Sequence, residues 1–263
     1  MSEAIEFDEK EARETEVLYL TPDIVAARRR VVDMLAATTG ERIADIGSGP
    51  GLLAQEIAAV VGPQGRVEGV DISAPMVALA RRRCANLAHV AFHDGDATAL
   101  PWPDAGFDAA VSTQVYEYVP NLAQAFAELR RVLRPGGRAL VMATDADSLV
   151  LASPAPALSR RILDAWRAHC PHPDLPRRIS PLLRGAGLNI RAHDSLTLLD
   201  TDFGRDRFAW HYLRSVSAYA ARQGRIEKAE GKAWIAELQD LAVNGGFFFS
   251  LNRYLFLAER PNA

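Results

Sequence analysis

Between residues 41 and 144 the sequence alternates short apolar runs with longer amphipathic ones, and this alternation restricts the fold more than any other feature. Five runs have the length and the apolar content of buried strands: 42–46, 66–71, 90–92, 107–113 and 138–144. The segments between them include three with helical spacing: 52–61, 74–84 and 121–133. Strands that are apolar on both faces and alternate with helices form a parallel sheet covered by helices on both sides. The sequence therefore predicts an α/β fold.

The pattern changes after residue 150. A sixth strand is predicted at 188–199 and an aromatic-rich one at 247–259, with two helices between them. We expect one domain over 1–263. Its parts are a lid and helix over 1–40, a core over 41–150 and a helical cap insertion over 200–246. Thr21 and Pro22 are typical of a helix start, and Gly40 is expected to end that helix.

Composition excludes several classes of protein. The 263 residues are 49% hydrophobic and 24% charged, which suits a chain with a core and not a disordered one. A net charge of -3 does not favour a nucleic-acid partner. No run of about 18 uncharged apolar residues exists, so no membrane span is expected. The acidic start is unlike a signal peptide, and two cysteines make no disulfide framework, so we expect a cytoplasmic protein.

A glycine cluster, Asp45-Ile46-Gly47-Ser48-Gly49-Pro50-Gly51, stands where the first predicted strand meets a helix. Glycine lets the backbone turn tightly and approach a ligand, and the N–H groups at a helix start carry partial positive charge. Asp71 ends the next strand, where a carboxylate can accept hydrogen bonds from both hydroxyls of a ribose. The spacing therefore predicts a nucleotide site.

The loop also distinguishes between nucleotides. The dinucleotide fingerprint needs glycine at position 52, where this chain has Leu52. The carboxylate of Asp45 would be unfavourable beside a pyrophosphate and favourable beside a cationic ammonium. An NAD(P)-dependent Rossmann oxidoreductase remains an alternative, although both Leu52 and Asp45 argue against it.

The run from Ala44 to Gly51 resembles the first motif of class I S-adenosylmethionine-dependent methyltransferases. Three further stretches match in order: 69–73 with Met76, 94–97 with Leu100 and Pro101, and 129–137. The resemblance covers roughly residues 20–145 and is strongest to the small-molecule branch with the ubiquinone/menaquinone-biosynthesis C-methyltransferases. It implies a Rossmann-like, mostly parallel sheet of seven strands whose last strand, 247–259, is antiparallel, and S-adenosylmethionine as cofactor.

Several roles follow from this resemblance, residue by residue. It implies that Asp45 lies near the methionyl ammonium, directly or through water. The three glycines of the loop would pack against the cofactor: Gly47, Gly49 and Gly51. Asp71 would hold the ribose hydroxyls, and Ile72 would lie against the adenine.

The remaining cofactor contacts implied by the resemblance lie further along the chain or upstream of it. Asp96 would accept a hydrogen bond from the adenine amino group, with the N–H of Ala97 beside it. Gln114 would contact the methionyl end through its backbone or side chain. Two upstream residues are candidates for the cofactor's carboxylate end: Tyr19 and Arg28.

Methyl transfer needs little from the protein beyond holding the nucleophile at about 3–3.5 Å and excluding water. A general base is needed only where the nucleophile must lose a proton. Candidate groups near the expected mouth are Tyr116, Glu117, Tyr118, the loop 169–172 and His211, of which Tyr116 and His211 are put forward as catalytic candidates. We expect no metal, because Pro171 and Pro173 account for the His-Cys-Pro-His loop as a turn.

The acceptor is expected to be a small molecule. The cap and the last strand are rich in aromatic residues, and those left over from core packing suit an apolar or aromatic compound. No candidate residue is diagnostic of catalysis, so a non-catalytic S-adenosylmethionine-binding regulatory protein also remains open. The sequence does not indicate the oligomeric state.

Overall fold

The computed structural model describes residues 9–262, with side chains from residue 13 onward. The first eight residues of the predicted lid lie outside this range. The strands in chain order are β1 (Arg42–Ile46), β2 (Arg66–Asp71), β3 (Val90–Asp94), β4 (Phe107–Thr113), β5 (Leu133–Thr144), β6 (Val150–Leu151), β7 (Asn189–Asp200) and β8 (Phe249–Glu259).

Helices precede, alternate with and follow these strands. In chain order they are α1 (Glu9–Tyr19), α2 (Pro22–Leu35), α3 (Leu52–Val61), α4 (Ala74–Arg83), α5 (Leu122–Val132), α6 (Pro156–Arg167), α7 (Pro176–Gly185), α8 (Phe208–Arg222) and α9 (Lys228–Val243). Among the described residues, no helix combines the length and the apolar character that crossing a bilayer requires.

One sheet runs through the molecule in the order β3-β2-β1-β4-β5-β8, and β7 pairs with the other edge of β8. The first five strands are parallel, and β8 is antiparallel to both β5 and β7. The predicted α/β fold, with an antiparallel last strand and a helical insertion before it, is therefore confirmed. Helices α8 and α9 are that insertion.

Within the described residues the sheet has eight strands, where seven were predicted. The additional strand, β6, has only two residues and pairs with β8 through Val150 and Ser250. It continues along the edge of β8 that β5 leaves at the pair Thr144–Arg253. Two residues are too few to show a period, so the sequence pattern could not indicate this strand.

Helix α2 begins at Pro22 as predicted but ends at Leu35 and not at Gly40. Ala36 adopts a left-handed conformation with φ 51°, and its N–H donates to Val32 O and Asp33 O. A left-handed residue closes a helix whatever its identity, and glycine is only the commonest choice.

The apolar core has three parts. One lies between the sheet and α5 and α7, around Phe107 and Phe126, and a second lies under α2, α3 and α4. The third joins α6, α8 and α9 to the ends of β7 and β8, around Trp234. The Trp234 indole N–H donates to Ser159 Oγ at 2.8 Å, which fixes α9 against α6 inside this third part.

Candidate active site

A cavity of about 1180 Å³ opens over the carboxyl ends of the central strands, where ligands of open α/β sheets bind. We call its first part, lined by residues 47–50, 70–72 and 95–97, the cofactor half. We call its second part the acceptor half. It is lined by residues 117–120 and by Thr144, Trp166, Ala168, His169, Cys170, Pro173, Phe208, Tyr212, Ser215, Ala218, Tyr219, Arg222, Gln223 and Arg253. Gln114 and Tyr19 line the cavity between them.

The glycine loop is pinned to the end of β2. The N–H groups of Gly47 and Ser48 both donate to Val70 O, at 2.8 and 3.0 Å. Gly47 has φ +72°, and a Cβ on it would lie 2.0 Å from Cγ2 of Val115. No larger residue fits at position 47 without moving Val115. Glycine at this position therefore lets the loop pack directly against the segment that follows β4.

The three glycines play different parts. Gly49 faces the cavity, and a Cβ there would meet only the Tyr19 ring at 4.0 Å. Gly51 lies behind the wall, and a Cβ on it would come within 2.9 Å of Ala80, on α4. Gly47 and Gly49 thus line the cavity, whereas Gly51 serves the packing of α3 against α4 and does not reach it.

Asp71 joins the loop to the next helix. Its Oδ2 accepts a hydrogen bond from Gly49 N at 2.8 Å, and its Oδ1 accepts one from Ser73 N at 2.9 Å. Burial raises the pKa of this carboxyl group, and these backbone donors oppose the rise. A carboxylate oxygen has more than one lone pair, so Asp71 can hold the loop and still accept from a ligand.

The far wall of the cofactor half suits a flat ring. Ile72 lines the cavity and is 54% exposed, which is unusual for so apolar a side chain. Asp96 and Ala97 line the cavity across from it, and Asp96 Oδ1 accepts from Thr98 N at 2.7 Å. This arrangement offers an apolar surface and a carboxylate for the adenine edge.

Asp45 lies behind the loop and does not line the cavity. It is buried, and its Oδ2 has no hydrogen-bond partner within the part of the chain that the structure describes. Burial raises the pKa of Asp45 to about 7, and the nearby charge of Asp71 adds to the rise. A buried carboxyl group of this kind stabilises a cation placed near it.

Tyr19 and Arg28 line the cavity where α1 and α2 close it. The Arg28 guanidinium is already engaged, because Nε donates to Glu56 Oε1 at 2.9 Å and Nη1 donates to Tyr19 O. Tyr19 is partly buried, desolvation raises the pKa of its hydroxyl, and the charges of Arg253 and Asp71 act on it. Tyr19 therefore lies at the junction of the two halves.

Gln114 follows β4 in a backbone conformation that few non-glycine residues adopt, with φ +60°. Its N–H donates to Met142 O at 3.0 Å, and its Oε1 accepts from Thr144 Oγ1. Its buried Nε2 has no partner among the described residues. The strained backbone therefore places an amide donor in the cavity wall between the two halves.

Glu117 is the acid of the acceptor half. It is 4% exposed and lines the cavity. Its Oε1 accepts from Thr144 N at 2.8 Å, whereas its Oε2 has no partner among the residues described. Burial raises the pKa of Glu117 to about 7, against the opposing effects of the Thr144 N–H and the charge of Arg253.

Arg253 is the buried cation among the described residues of the acceptor half, and the sequence analysis missed it. It is 5% exposed, lines the cavity, and its guanidinium carbon stands 5.1 Å from the centre of the Phe208 ring. Its Nε has no hydrogen-bond partner in the described chain. One signal could have revealed it: Arg253 occupies an inward position of β8, whose other inward residues are apolar.

The rest of the acceptor half is aromatic. His169 lies 4.7 Å from Tyr219, 5.3 Å from Trp166 and 6.1 Å from Tyr118, measured between ring centres. Tyr212 and Phe208 extend this wall along α8, stacked at 5.1 Å. Burial lowers the pKa of His169, so its ring is neutral at pH 7. The wall is suited to an aromatic molecule.

Neither residue put forward as catalytic lines this cavity. Tyr116 is fully buried in the core under the sheet, 4.8 Å from Phe126 between ring centres. His211 is on another face of α8 from Tyr212, and its Nε2 is 2.9 Å from Arg205 O. In both cases the neighbouring residue in the chain faces the cavity, Glu117 in the first and Tyr212 in the second.

The His-Cys-Pro-His loop is anchored to the acceptor half. His172 N donates to Glu117 O at 3.1 Å, and His172 Nε2 lies 3.1 Å from Val119 O. Within the described residues, no group of three or more histidine, cysteine, aspartate and glutamate side chains could hold a metal ion. The expectation that the protein uses no metal stays a prediction.

The strand order, the loop at the end of β1 and the acid at the end of β2 define the fold of class I S-adenosylmethionine-dependent methyltransferases. Residues 44–141 match the methyltransferase domain family. The YcgJ protein from Bacillus subtilis has the same fold, with a TM-score of 0.63 at 20% identity, over 90% of this chain and 99% of that one.

Two curated relatives carry methyltransferase names. The chain is 32% identical over 194 residues to the ubiquinone/menaquinone biosynthesis C-methyltransferase of Pseudomonas syringae pv. tomato. This match covers 71% of this chain and 73% of the relative. It is 40% identical over 116 residues to the demethylmenaquinone methyltransferase of Thermus thermophilus, 44% of this chain and 52% of the relative. It spans about half the length of several curated relatives that it matches.

The chain therefore belongs to the class I S-adenosylmethionine-dependent methyltransferases, in the family that includes the ubiquinone/menaquinone biosynthesis C-methyltransferases. This membership confirms the predicted family, the predicted class of enzyme and the predicted cofactor, S-adenosylmethionine. Nothing in the structure or the comparisons favours an NAD(P)-dependent oxidoreductase or a non-catalytic binding protein.

Proposed function

We propose that this protein transfers a methyl group from S-adenosylmethionine to a ring carbon of a small hydroxylated aromatic molecule. One observation carries the proposal: the cofactor half continues into an acceptor half that has aromatic walls and a buried acid and cation. The names of the relatives from Pseudomonas syringae and Thermus thermophilus support a quinone-related ring and methylation at carbon.

The residues of the cofactor half fit this cofactor. Asp71 would hold the ribose hydroxyls, with Ile72 against the adenine and Asp96 and Ala97 at its edge. The charge of Asp45 would stabilise the methionyl ammonium from behind the loop. The bound cofactor supplies a methyl group already activated for displacement. The fit is supported by the open face of Gly49 and by the unpartnered oxygen of Asp45.

The chain's own contribution is to orient the acceptor and to exclude water. The aromatic wall from α6 and α8 would hold the ring, and Tyr19 would close the cavity over the reacting atoms. We also propose that the chain is one domain with the parts predicted from its sequence. Residues 1–40 form a lid and helix, residues 41–150 form the core, and residues 200–246 form a cap. Protease access at Lys10 and Arg13, with and without S-adenosylhomocysteine, tests the lid.

The proposal also covers the binding partners and the cellular location of the protein. A small-molecule acceptor without nucleic acid suits the net charge of -3, and the content of only two cysteines supports a cytoplasmic location.

An assay with the full chain tests the function. The protein is incubated with S-adenosylmethionine and 1,4-dihydroxynaphthalene, and with catechol and benzoate as further acceptors. Mass spectrometry should find a singly methylated dihydroxynaphthalene, and nuclear magnetic resonance should place the methyl group on carbon. Methylation only on oxygen would contradict the carbon assignment. Calorimetry that finds S-adenosylhomocysteine binding, with no product from any acceptor, would favour a non-catalytic binding protein, and NAD binding alone would favour an oxidoreductase.

A further inference from the structure

We propose that Glu117 and Arg253 form a subsite for the reacting group of the acceptor, in which Glu117 takes a hydroxyl proton and Arg253 binds the oxyanion that remains. Nothing in the family comparison assigns a role to either residue. The inference rests on the proposed function, because it gives the acceptor half its chemistry. It also names the ligand class: a weakly acidic hydroxyl compound that is bound as its anion.

The geometry of Glu117 leaves one oxygen for a ligand. The backbone N–H of Thr144 holds Oε1 at 2.8 Å, so the carboxyl group cannot rotate freely. The other oxygen, Oε2, is buried in the cavity wall without a partner in the described residues. A buried acceptor without a partner is unfavourable, and a donor on the ligand would satisfy it. A hydroxyl group is such a donor.

Arg253 offers an unpaired hydrogen-bond donor, which complements the unpaired acceptor of Glu117 within the described residues. Its buried Nε is a donor without an acceptor among the described residues, and its guanidinium faces the Phe208 ring at 5.1 Å. Burying a cation without a full set of partners is unfavourable, and an anion in the cavity would relieve this. Arg253 pairs across the sheet with Thr144, whose N–H holds Glu117. The acid and the cation are therefore both tied to Thr144, the last residue of β5.

Among the titratable groups around the Glu117–Arg253 pair, Glu117 is the one whose pKa lies near neutrality. Facing the pair are Tyr19 from α1, Tyr118, Cys170 after α6, and Asp23 of α2, which senses Arg253. Burial raises the pKa of Tyr19 and of Tyr118 and raises that of Cys170 to about 11, so all three are neutral at pH 7. Arg253 keeps its charge although burial lowers its pKa.

The proton and electron balance closes without a further reactant. The hydroxyl proton passes to Oε2 of Glu117, and the oxyanion electrons, shared with the ring carbon, form the bond to the methyl group. The electron pair of the broken methyl–sulfur bond stays on sulfur. The ring carbon then loses its hydrogen as a proton, and the oxygen regains one from Glu117. The net result is one methyl group gained, one proton released and the carboxylate restored.

A binding experiment tests the subsite without turnover. The probe is 4-nitrophenol, whose oxyanion absorbs visible light, and nitrobenzene is the neutral control. Because 4-nitrophenol itself loses its proton near neutrality, each affinity is referred to the concentration of its oxyanion at that pH. On this scale the wild-type protein should bind the oxyanion at about pH 6, and the affinity should fall as pH rises through 7 because Glu117 ionises and repels it. E117Q should keep the affinity and lose this pH dependence. R253M should lose at least about tenfold in oxyanion affinity, with nitrobenzene binding unchanged.

Turnover and cofactor binding supply the second test. E117Q should lower kcat by about 100- to 1000-fold, while S-adenosylhomocysteine affinity stays within about threefold. Matched controls on the cap surface, E237Q and R214M, should leave both unchanged. If R253M does not fold, R253K decides, because it keeps the charge and should keep most of the oxyanion affinity.

Three results would overturn the subsite: full turnover in E117Q, a pH dependence that E117Q retains, or an R253M that loses S-adenosylhomocysteine and keeps 4-nitrophenol. The last would move Arg253 to the cofactor. Failure of the wild-type protein to methylate any acceptor would contradict the proposed function alone, because the 4-nitrophenol titrations would still decide the subsite.

Discussion

The cofactor half of the cavity is built mainly from backbone, and the acceptor half from side chains. In the cofactor half, the N–H groups of Gly47, Ser48 and Gly49 all have partners, and Asp71 is held on both oxygens. In the acceptor half, Glu117 and Arg253 each keep a buried atom without a partner in the described chain. A loop whose backbone donors are satisfied is preorganised, whereas side chains that keep buried unpaired atoms depend on what enters the cavity.

The largest effect is expected from Gly47→Ala. The new Cβ would overlap Val115, and alanine at φ +72° is strained. Together these should destabilise the fold by about 3 kcal/mol and weaken S-adenosylhomocysteine binding by about 100-fold. Denaturant unfolding and calorimetry measure the two effects. Gly47→Ala with Val115→Ala should recover part of the loss, and no recovery would mean that the overlap is not the cause.

Asp71→Ala should separate the two halves. It removes the acceptor for Gly49 N and for the ribose, and hydrogen bonds to a charged group contribute about 1.5–3 kcal/mol each. S-adenosylhomocysteine affinity should fall by about 10- to 100-fold by calorimetry. Binding of 4-nitrophenol should stay within about twofold. Equal losses for both ligands would show that the halves are not independent.

A pH titration tests the buried acid behind the loop. With a pKa of about 7, Asp45 is half protonated at neutrality, and a cationic ligand lowers this pKa. Binding then releases a proton, so S-adenosylmethionine affinity should rise about tenfold between pH 6 and pH 8. Asp45→Asn should remove the rise.

The same carboxyl group affects stability with the opposite sign. Its pKa is raised in the folded protein, so the folded state holds the proton that the unfolded state releases. The free energy of unfolding should therefore fall as pH rises from about 4 through 7, and Asp45→Asn should raise it above pH 7. Urea unfolding at several pH values measures this, and a flat profile would contradict the assignment.

The smallest effect is expected in the aromatic wall. Tyr219→Ala removes the ring closest to His169 and should raise the KM for the acceptor by about tenfold. S-adenosylhomocysteine affinity should not change, because Tyr219 belongs to the acceptor half. His211→Ala, on the same helix but outside the cavity, is the matched control and should alter neither quantity. A change in cofactor affinity with Tyr219→Ala would require the boundary between the halves to be redrawn.

The same contrast explains what the sequence could predict. The loop at 45–51, Asp71 and Asp96 lie at the ends of successive strands, so a local motif places them all at one edge of the sheet. Arg253 comes from the last strand, and its position depends on pairing with Thr144. No local pattern encodes that pairing.

Two adjacent pairs of residues show the limit in detail. The loop after β4 turns Tyr116 into the core and Glu117 into the cavity, although both are polar and neighbouring. On α8, one residue advances the side chain by about a quarter of a turn, which takes His211 out and brings Tyr212 in. The sequence identified the two segments that line the cavity. The packing of each segment determines which of its two neighbouring residues faces the cavity.

The position of β8 between β5 and β7 has a consequence for biosynthesis. The strand pairs with both neighbours, yet the ribosome delivers it after them, so the gap between β5 and β7 must stay open until residues 249–259 have been synthesised. Contacts between segments so distant in sequence form slowly. Among the described residues that line the cavity, Arg253 comes last in the chain, so the proposed acceptor subsite is the last part of the cavity to be completed during synthesis.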